Sequence, residues 1–560
     1  MDKKPTQKEG MIMIMKRFTN DERGMAAFIA IMIMLMMSII GVAVVKLASD
    51  EVNIAGNELN EMGSFYAAEA GLERACADIQ HQYEATGFPP STMPSGSETV
   101  NQCAVTYATT DNGAATMETL TSGALAGLHG LVKTFTVTSS AVSSIDQSKI
   151  ELTQEFEAAL VPIFQFAVFY TNDLYATPAA AMSVSGRVHV NGDMYLQANV
   201  SLSFDGKVTA AGGIYHGFPS WLGVTEYTND VNFKNSAGTY LSMKSGSKWI
   251  DASKSYWLDS ATARWTGNVK DHAFGIEDLN LPLTNSSNDP HKIIERASGN
   301  PDSYEEKASI KIIDGVVYQK VGSVWQDITS LLPSGTVSTV NFYDDREDKT
   351  VVSTDIDISK LNTSGYFPSN GLLYASDQRG STYNVLRLKN GTELDTSLTV
   401  FSENPAYIWG NYNTTNKKPA AIVADAVTYL SNSWSDANSN KSLRTYRTVS
   451  STMTVNVSMI TGDRAPTSTS YGGGLANLPR FLEHWNSRQF TYRGSMVQLW
   501  RSVQATGLWK YGTSDEYYTA PTRDYGFDTD LNDPSKLPPF TPQVQNFQRL
   551  GWKQQFVTVE

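Results

Sequence analysis

Residues 25–45 form an apolar run without a single charge. As a helix the run is about 31 Å long, against a hydrocarbon core of about 30 Å. Lys3, Lys4, Lys8, Lys16, Arg17 and Arg23 precede it, while Lys46, Asp50 and Glu51 follow. That bias of basic residues places the N-terminus in the cytoplasm and the bulk of the chain outside. The run is long for a secretory signal, and no small-residue cleavage site follows it. It is therefore expected to persist as a membrane helix.

The polar segment 46–83 has no proline and continues the helical pattern, with Val52, Ala55, Leu59, Met62, Tyr66, Ala70 and Leu72 near helical spacing. Gly87, Pro89 and Pro90 stop it. The spacing predicts one helix over 25–85, of which 25–45 lies in lipid and the remainder projects outward.

Three features resemble a type IV prepilin N-terminus, and most closely that of PilX-type pilus-assembly proteins, which are minor pilins. They are the Arg23-Gly24 boundary before Met25-Ala26-Ala27-Phe28-Ile29, the apolar run, and Tyr66-Ala67-Ala68-Glu69-Ala70-Gly71-Leu72-Glu73. The resemblance implies that a prepilin peptidase cuts after Gly24, leaving residues 1–24 as a leader and Met25 as the first mature, methylated residue. It implies other pilins and minor pilins and an inner-membrane assembly machinery as partners, and no cofactor. Ala26, Ala27, Ala30, Gly41 and Ala43 are then the small residues through which neighbouring helices approach. Most pilins carry Glu at mature position five, where this chain has Ile29. An unpaired carboxylate in hydrocarbon is costly, so a subunit with no neighbour above it does better without one. That departure points to the fibre tip.

Beyond the helix the chain turns β-rich. Residues 131–138 and 150–157 alternate apolar and polar side chains, as half-buried strands do, and predict a pilin-like β head over 86–162. Cys76 and Cys103 lie on the expected outer side, where a disulfide can persist. Bridging them would fasten the helix to the head; two buried thiols are the alternative.

A local repeat follows. Gly186 and Gly206, Val188 and Val208, Gly192 and Gly212, Met194 and Ile214, and Tyr195 and Tyr215 match at a constant offset. Strand, glycine turn and strand at that period predict a parallel β-helix over 163–281, with the glycines in positive-φ corners and Val, Met, Ile and Tyr stacking inward. A sandwich or antiparallel barrel is the alternative. A polar insertion is expected over 282–348, a second β-rich block over 349–465, and a C-terminal module over 466–560 in which 478–485 reads as a short helix. The expected fold class is α+β, mostly β.

The composition leaves little room for chemistry. Net charge is −13 and two cysteines occur in 560 residues, which disfavours nucleic acid and excludes a four-thiolate zinc site. The seven histidines have no metal-binding spacing, and no nucleophile elbow, P-loop or dinucleotide fingerprint occurs. Asp528, Asp530, Asn532 and Asp533 resemble the front of a calcium loop but lack its later glycine and glutamate. No catalytic residue or metal ligand is assigned. Trp249, Tyr256, Trp257 and Trp265 are clustered aromatics that would stack on a surface glycan or protein ligand if exposed; core packing under a loop is the alternative. The expectation is a non-catalytic minor pilin that primes assembly and displays a large β-rich tip region for adhesion, held in the inner membrane before assembly and at the cell surface afterwards. Alternatives are the tip pseudopilin of a type II secretion system and a membrane-anchored carbohydrate-active β-helix.

Overall fold

Glu22–Thr86 is one uninterrupted α-helix, α1, roughly 100 Å long at the standard rise. It heads a computed structural model that describes residues 22–86, 92–285, 287–380, 383–468 and 470–557. Residues 1–21 lie outside it, and with them most of the expected leader. No proline interrupts the helix. It has two unlike halves, since residues 25–59 are exposed all round whereas the C-terminal third is buried along one face.

Of the residues at helical spacing, Leu72 belongs to that face. Ser64, Ala67, Ala68, Gly71, Leu72, Ala75, Cys76, Ile79 and Tyr83 are buried, while Val52, Leu59, Met62 and Tyr66 are exposed. The buried positions recur every three or four residues, as one side of a helix requires. Most are small, which lets the helix lie close against a sheet.

The sheet contains β1 (Ser95–Val100), β2 (Cys103–Asp111), β4 (His129–Ser143) and β5 (Lys149–Pro162), with β3 (Thr116–Thr119) beside β4. Every pairing is antiparallel. Its last strand is Gln543–Val557, which pairs with β5 from Gln543 against Pro162 to Val557 against Lys149. Residues 466–560 thus do not form one module, because their end belongs to the head. Everything between Pro162 and Gln543 is inserted between two adjacent strands. Its entry and exit touch, the Ile163 amide donating to the Pro542 carbonyl at 2.9 Å.

The inserted region is built largely of short strands stacked in parallel register. Val188 lies against Val208, Met194 against Ile214 and Tyr195 against Tyr215, all in parallel register. The repeat extends further than its glycines reveal, with Val168 beside Val188 and Tyr175 beside Tyr195. Val188, Val208, Met194 and Ile214 are fully buried, but Tyr195 and Tyr215 face outward and stack on each other at 5.3 Å. The glycines serve mainly close approach. A Cβ on Gly206 would lie 2.0 Å from the Gly186 carbonyl oxygen of the coil beside it.

The two β-rich blocks share one sheet. Its parallel strands run in the order Val269–Lys270, Val208–Ala210, Val188–Val190, Val168–Tyr170, Met496–Arg501, Ser458–Asp463, Ala420–Ala424, Leu398–Ser402, Leu372–Ser376 and Ile310–Ile313. The chain therefore enters in mid-stack, climbs to one end, crosses to the other, and climbs back until Met496 lies beside Val168. Part of the expected polar insertion makes that crossing. Leu279, Leu281, Leu283, Ile293 and Ile294 pack on the outer side of the sheet against Phe169, Phe401, Val423, Ile460 and Val497. Both faces of the sheet are thereby covered, which explains strands with no polar alternation such as Ala420–Ala424, buried at every residue. Residues 310–344, expected to be set apart, supply strands to the end of the stack. The helix expected over 478–485 is absent: a 3-10 turn, Leu475–Asn477, leads into the short strand Arg480–Phe481, which pairs with Val427–Leu430.

Candidate assembly site on the long helix

Gly24 and Met25 lie in the first turn of α1, and Ala26, Ala27, Ala30, Gly41 and Ala43 are all exposed. At about 100° per residue, Ala26, Ala30 and Gly41 share one stripe, Ala27 borders it, and Ala43 faces away. Three of the five small residues can therefore serve a single neighbouring helix. Large side chains surround them, among them Phe28 at 64%, Met37 at 68% and Val45 at 70% exposure. A helix this apolar is long enough to cross a membrane, and its most apolar window has none of its surface covered by the rest of the chain.

The outer half of α1 is held by the head. A Cβ added to Gly71 would come within 2.6 Å of both Ser139 Oγ and Val105 Cγ1, so any other residue must push these side chains aside. Tyr83 donates its hydroxyl to the Ala159 carbonyl, and the Gln545 side-chain amide donates to the Tyr83 carbonyl at 2.9 Å. Arg549 on the closing strand forms a two-armed ion pair with Glu73, and this bond holds the Glu73 carboxyl below its ordinary range. The 66–73 motif is thus a docking surface: Ala67, Ala68, Gly71 and Leu72 face the sheet, Glu73 pairs with Arg549, and Tyr66 and Glu69 stay in solvent.

The expected disulfide is not formed. Cys76 and Cys103 are both free and buried. Cys103 Sγ lies 3.7 Å from Ser64 Oγ, and Ser64 precedes Cys76 by twelve positions, about 18 Å along the helix axis. A disulfide needs its Cα atoms within about 7 Å. Burial pushes the Cys76 thiol up, which keeps it protonated and unreactive.

The aromatic cluster divides between core and surface. Trp257 and Trp265 lie on the helix Trp257–Trp265 with their rings in the core, at 3% and 0% exposure. Trp249 is half-buried and stacks on His216. Tyr256 alone of the four is exposed, its hydroxyl donating to the Trp249 carbonyl at 3.1 Å. The four rings therefore do not make one ligand platform. At the calcium-like turn, the Lys417 ammonium donates to Asp528 at 2.8 Å and Asp530 at 2.7 Å, and Lys536 donates to Asp530 at 2.9 Å. These cations pull the Asp530 carboxyl down to about 2. Among the described residues no group of three or more His, Cys, Asp or Glu side chains is placed to hold a metal ion.

No curated protein matches the chain. A solved structure, that of the competence-associated pilin ComZ from Thermus thermophilus, aligns over 89% of this chain and 98% of its own at 12% identity and a TM-score of 0.23. The family described as PilX N-terminal matches residues 23–73, the span that runs from the Arg-Gly boundary through the exposed apolar helix to Glu73. Residues 23–73 thus match the PilX N-terminal family, and the match is confined to that segment.

Proposed function

We propose that this protein is a non-catalytic minor pilin that enters a type IV pilus at or near its tip and displays the inserted β-rich region for adhesion. The observation that carries this reading is the contrast within α1: an apolar half with nothing packed on it is continuous with a half docked on an antiparallel head. A helix apolar all round is stable in lipid or among like helices, so extraction from the membrane into a bundle of pilin helices leaves it in apolar surroundings throughout. In this reading a prepilin peptidase cuts after Gly24, Met25 becomes the methylated mature N-terminus, and the chain beyond the membrane lies outside the inner membrane and then on the cell surface. Ile29 favours the apex, because it removes the carboxylate that a subunit would otherwise bury unpaired. The bulk of the inserted region favours it too, since such a mass would be hard to accommodate at every step along a fibre.

The test is the N-terminal peptide mass of the protein made beside a prepilin peptidase. A start at Met25 that is lost in Gly24→Leu supports the reading. An intact leader in both proteins replaces it with a plain membrane anchor. Tip placement is tested separately with Ile29→Glu, which should move the protein from the apex into the shaft; unchanged placement removes that part of the reading.

A further inference from the structure

Aromatic rings, of which the sequence repeat marked only Tyr195 and Tyr215, form a continuous line across the inserted region. Tyr215, Tyr195 and Tyr175 stack on successive coils at 5.3 and 5.1 Å. Tyr175 meets Phe218 at 5.4 Å, Phe218 meets Tyr471 at 5.6 Å, and Tyr471 meets Trp509 at 4.9 Å. Trp509 stacks on Tyr511 and donates its indole N–H to the Tyr518 hydroxyl at 2.9 Å. Three separate loops thus converge, carrying Phe218, Tyr471 and Trp509. Tyr511, at one end of the line, is open to solvent at 39% exposure, as is Trp221 at 52%, three residues after Phe218 in the same loop.

Beside the rings lie fixed acceptors. Asp193 takes the Tyr195 hydroxyl at 2.9 Å and the Gly213 amide at 2.8 Å. Asp173 takes the Asp193 amide at 2.9 Å and the Tyr175 hydroxyl at 3.3 Å. Each carboxylate has about four acceptor positions, so about half remain for a ligand. Neither is in an ion pair with a Lys or Arg among the described residues.

We propose that this surface binds a neutral saccharide, its sugar faces against Trp221 and Tyr511 and its hydroxyls donating to Asp173 and Asp193. Aromatic rings fixed by stacking offer contact area at little entropic cost. Two half-used carboxylates without a countercharge select a partner rich in hydrogen-bond donors and repel an anionic one. The proposal rests on the adhesive-display reading and gives it a place and a ligand class.

The experiment applies detergent-solubilised full-length protein to an array of neutral hexose and N-acetylhexosamine oligosaccharides together with sialylated and sulfated counterparts. Retention of neutral oligosaccharides is expected, weakened about tenfold by Trp221→Ala or Tyr511→Ala and also by Asp193→Asn, with circular dichroism verifying that each variant is folded. Retention of no neutral oligosaccharide, retention of acidic ones only, or binding indifferent to the Trp221 and Tyr511 variants overturns it. Processing at Gly24 is scored on the same wild-type chain co-expressed with the peptidase. A processed protein that binds no neutral sugar sinks this proposal and leaves the pilin reading standing; an unprocessed one that binds sugar does the reverse.

Discussion

Arg549, on the strand that closes the head, forms its ion pair with Glu73 on α1 across a sequence separation of 476 residues. The pair lies at the surface and contributes less than about 1 kcal/mol. Its importance is topological. The sheet on which the helix docks is completed only by the end of the chain, so the inserted region must return its exit to the place of its entry. The hydrogen bond between Ile163 and Pro542 is where it does so.

The helix-to-sheet spacing is set at Gly71. Gly71→Leu forces a side chain into the space held by Ser139 Oγ and Val105 Cγ1. Overpacking of this kind costs about 1–3 kcal/mol, whereas Glu69→Leu two positions earlier, in solvent, costs under about 0.5 kcal/mol. Denaturant unfolding of the two variants, followed by protection of the α1 amides from hydrogen exchange, checks the difference. Equal effects would mean that the small residues of the motif do not set the docking distance.

Because Pro162 and Gln543 are direct partners in the ladder, residues 163–542 can be replaced by a short Asn-Gly turn, the connection that antiparallel neighbours favour. The expected product retains the docked helix and a cooperatively melting antiparallel head, observed by circular dichroism and by protection of the β5 amides. A molten product would show that the head depends on Phe164, Phe166 and the rest of the outer cluster for its fold.

The cysteines give a direct test of the head geometry. Cys103 touches α1 at Ser64, about three turns before Cys76, so mass spectrometry of the unreduced protein should find two thiols, and reductant should leave the melting temperature unchanged. A bridged peptide pair would require α1 to slide along the sheet by several residues.

Much of this arrangement was legible in the sequence, and what was not has physical causes. The long helix, the head strands and the coil repeat are local patterns. Period 3.6, period 2 and the constant spacing of Val188 and Val208 are visible without a partner. The buried face of α1 was not legible, because Ala67, Ala68 and Gly71 are too small to register as a hydrophobic stripe beside Val52, Leu59 and Met62, which are exposed among the described residues. The strand Gln543–Val557 pairs with residues far upstream, and no local pattern encodes that distance. Polar neighbours surround Trp257 and Trp265 in sequence and left core packing and exposure both open, whereas on a short helix those neighbours face the other way. The line of rings through Tyr471 and Trp509 escaped notice for a related reason, since it is assembled from loops brought together only by the stacking of coils.

Glu483 gives the inserted region a pH dependence of known sign. It is 1% exposed and accepts from the Ser431 amide at 2.6 Å and hydroxyl at 2.7 Å, yet burial outweighs these bonds and pushes its carboxyl up to about 7. A raised folded value means that the folded state keeps a proton that the unfolded state has already lost. Below about pH 4.5 both states are protonated and the group contributes nothing. From there to about pH 7 stability falls as pH rises, and above 7 the deficit is constant, on the order of 3 kcal/mol. Glu483→Gln keeps an acceptor for Ser431 and cannot ionise, so it should match the parent at pH 4.5 and exceed it by about that amount at pH 8. Denaturant titrations of both proteins at the two values decide it. A constant difference between them would mean that the carboxyl ionises in the folded protein as readily as in water, and that its hydrogen bonds to Ser431 fully offset the cost of burial.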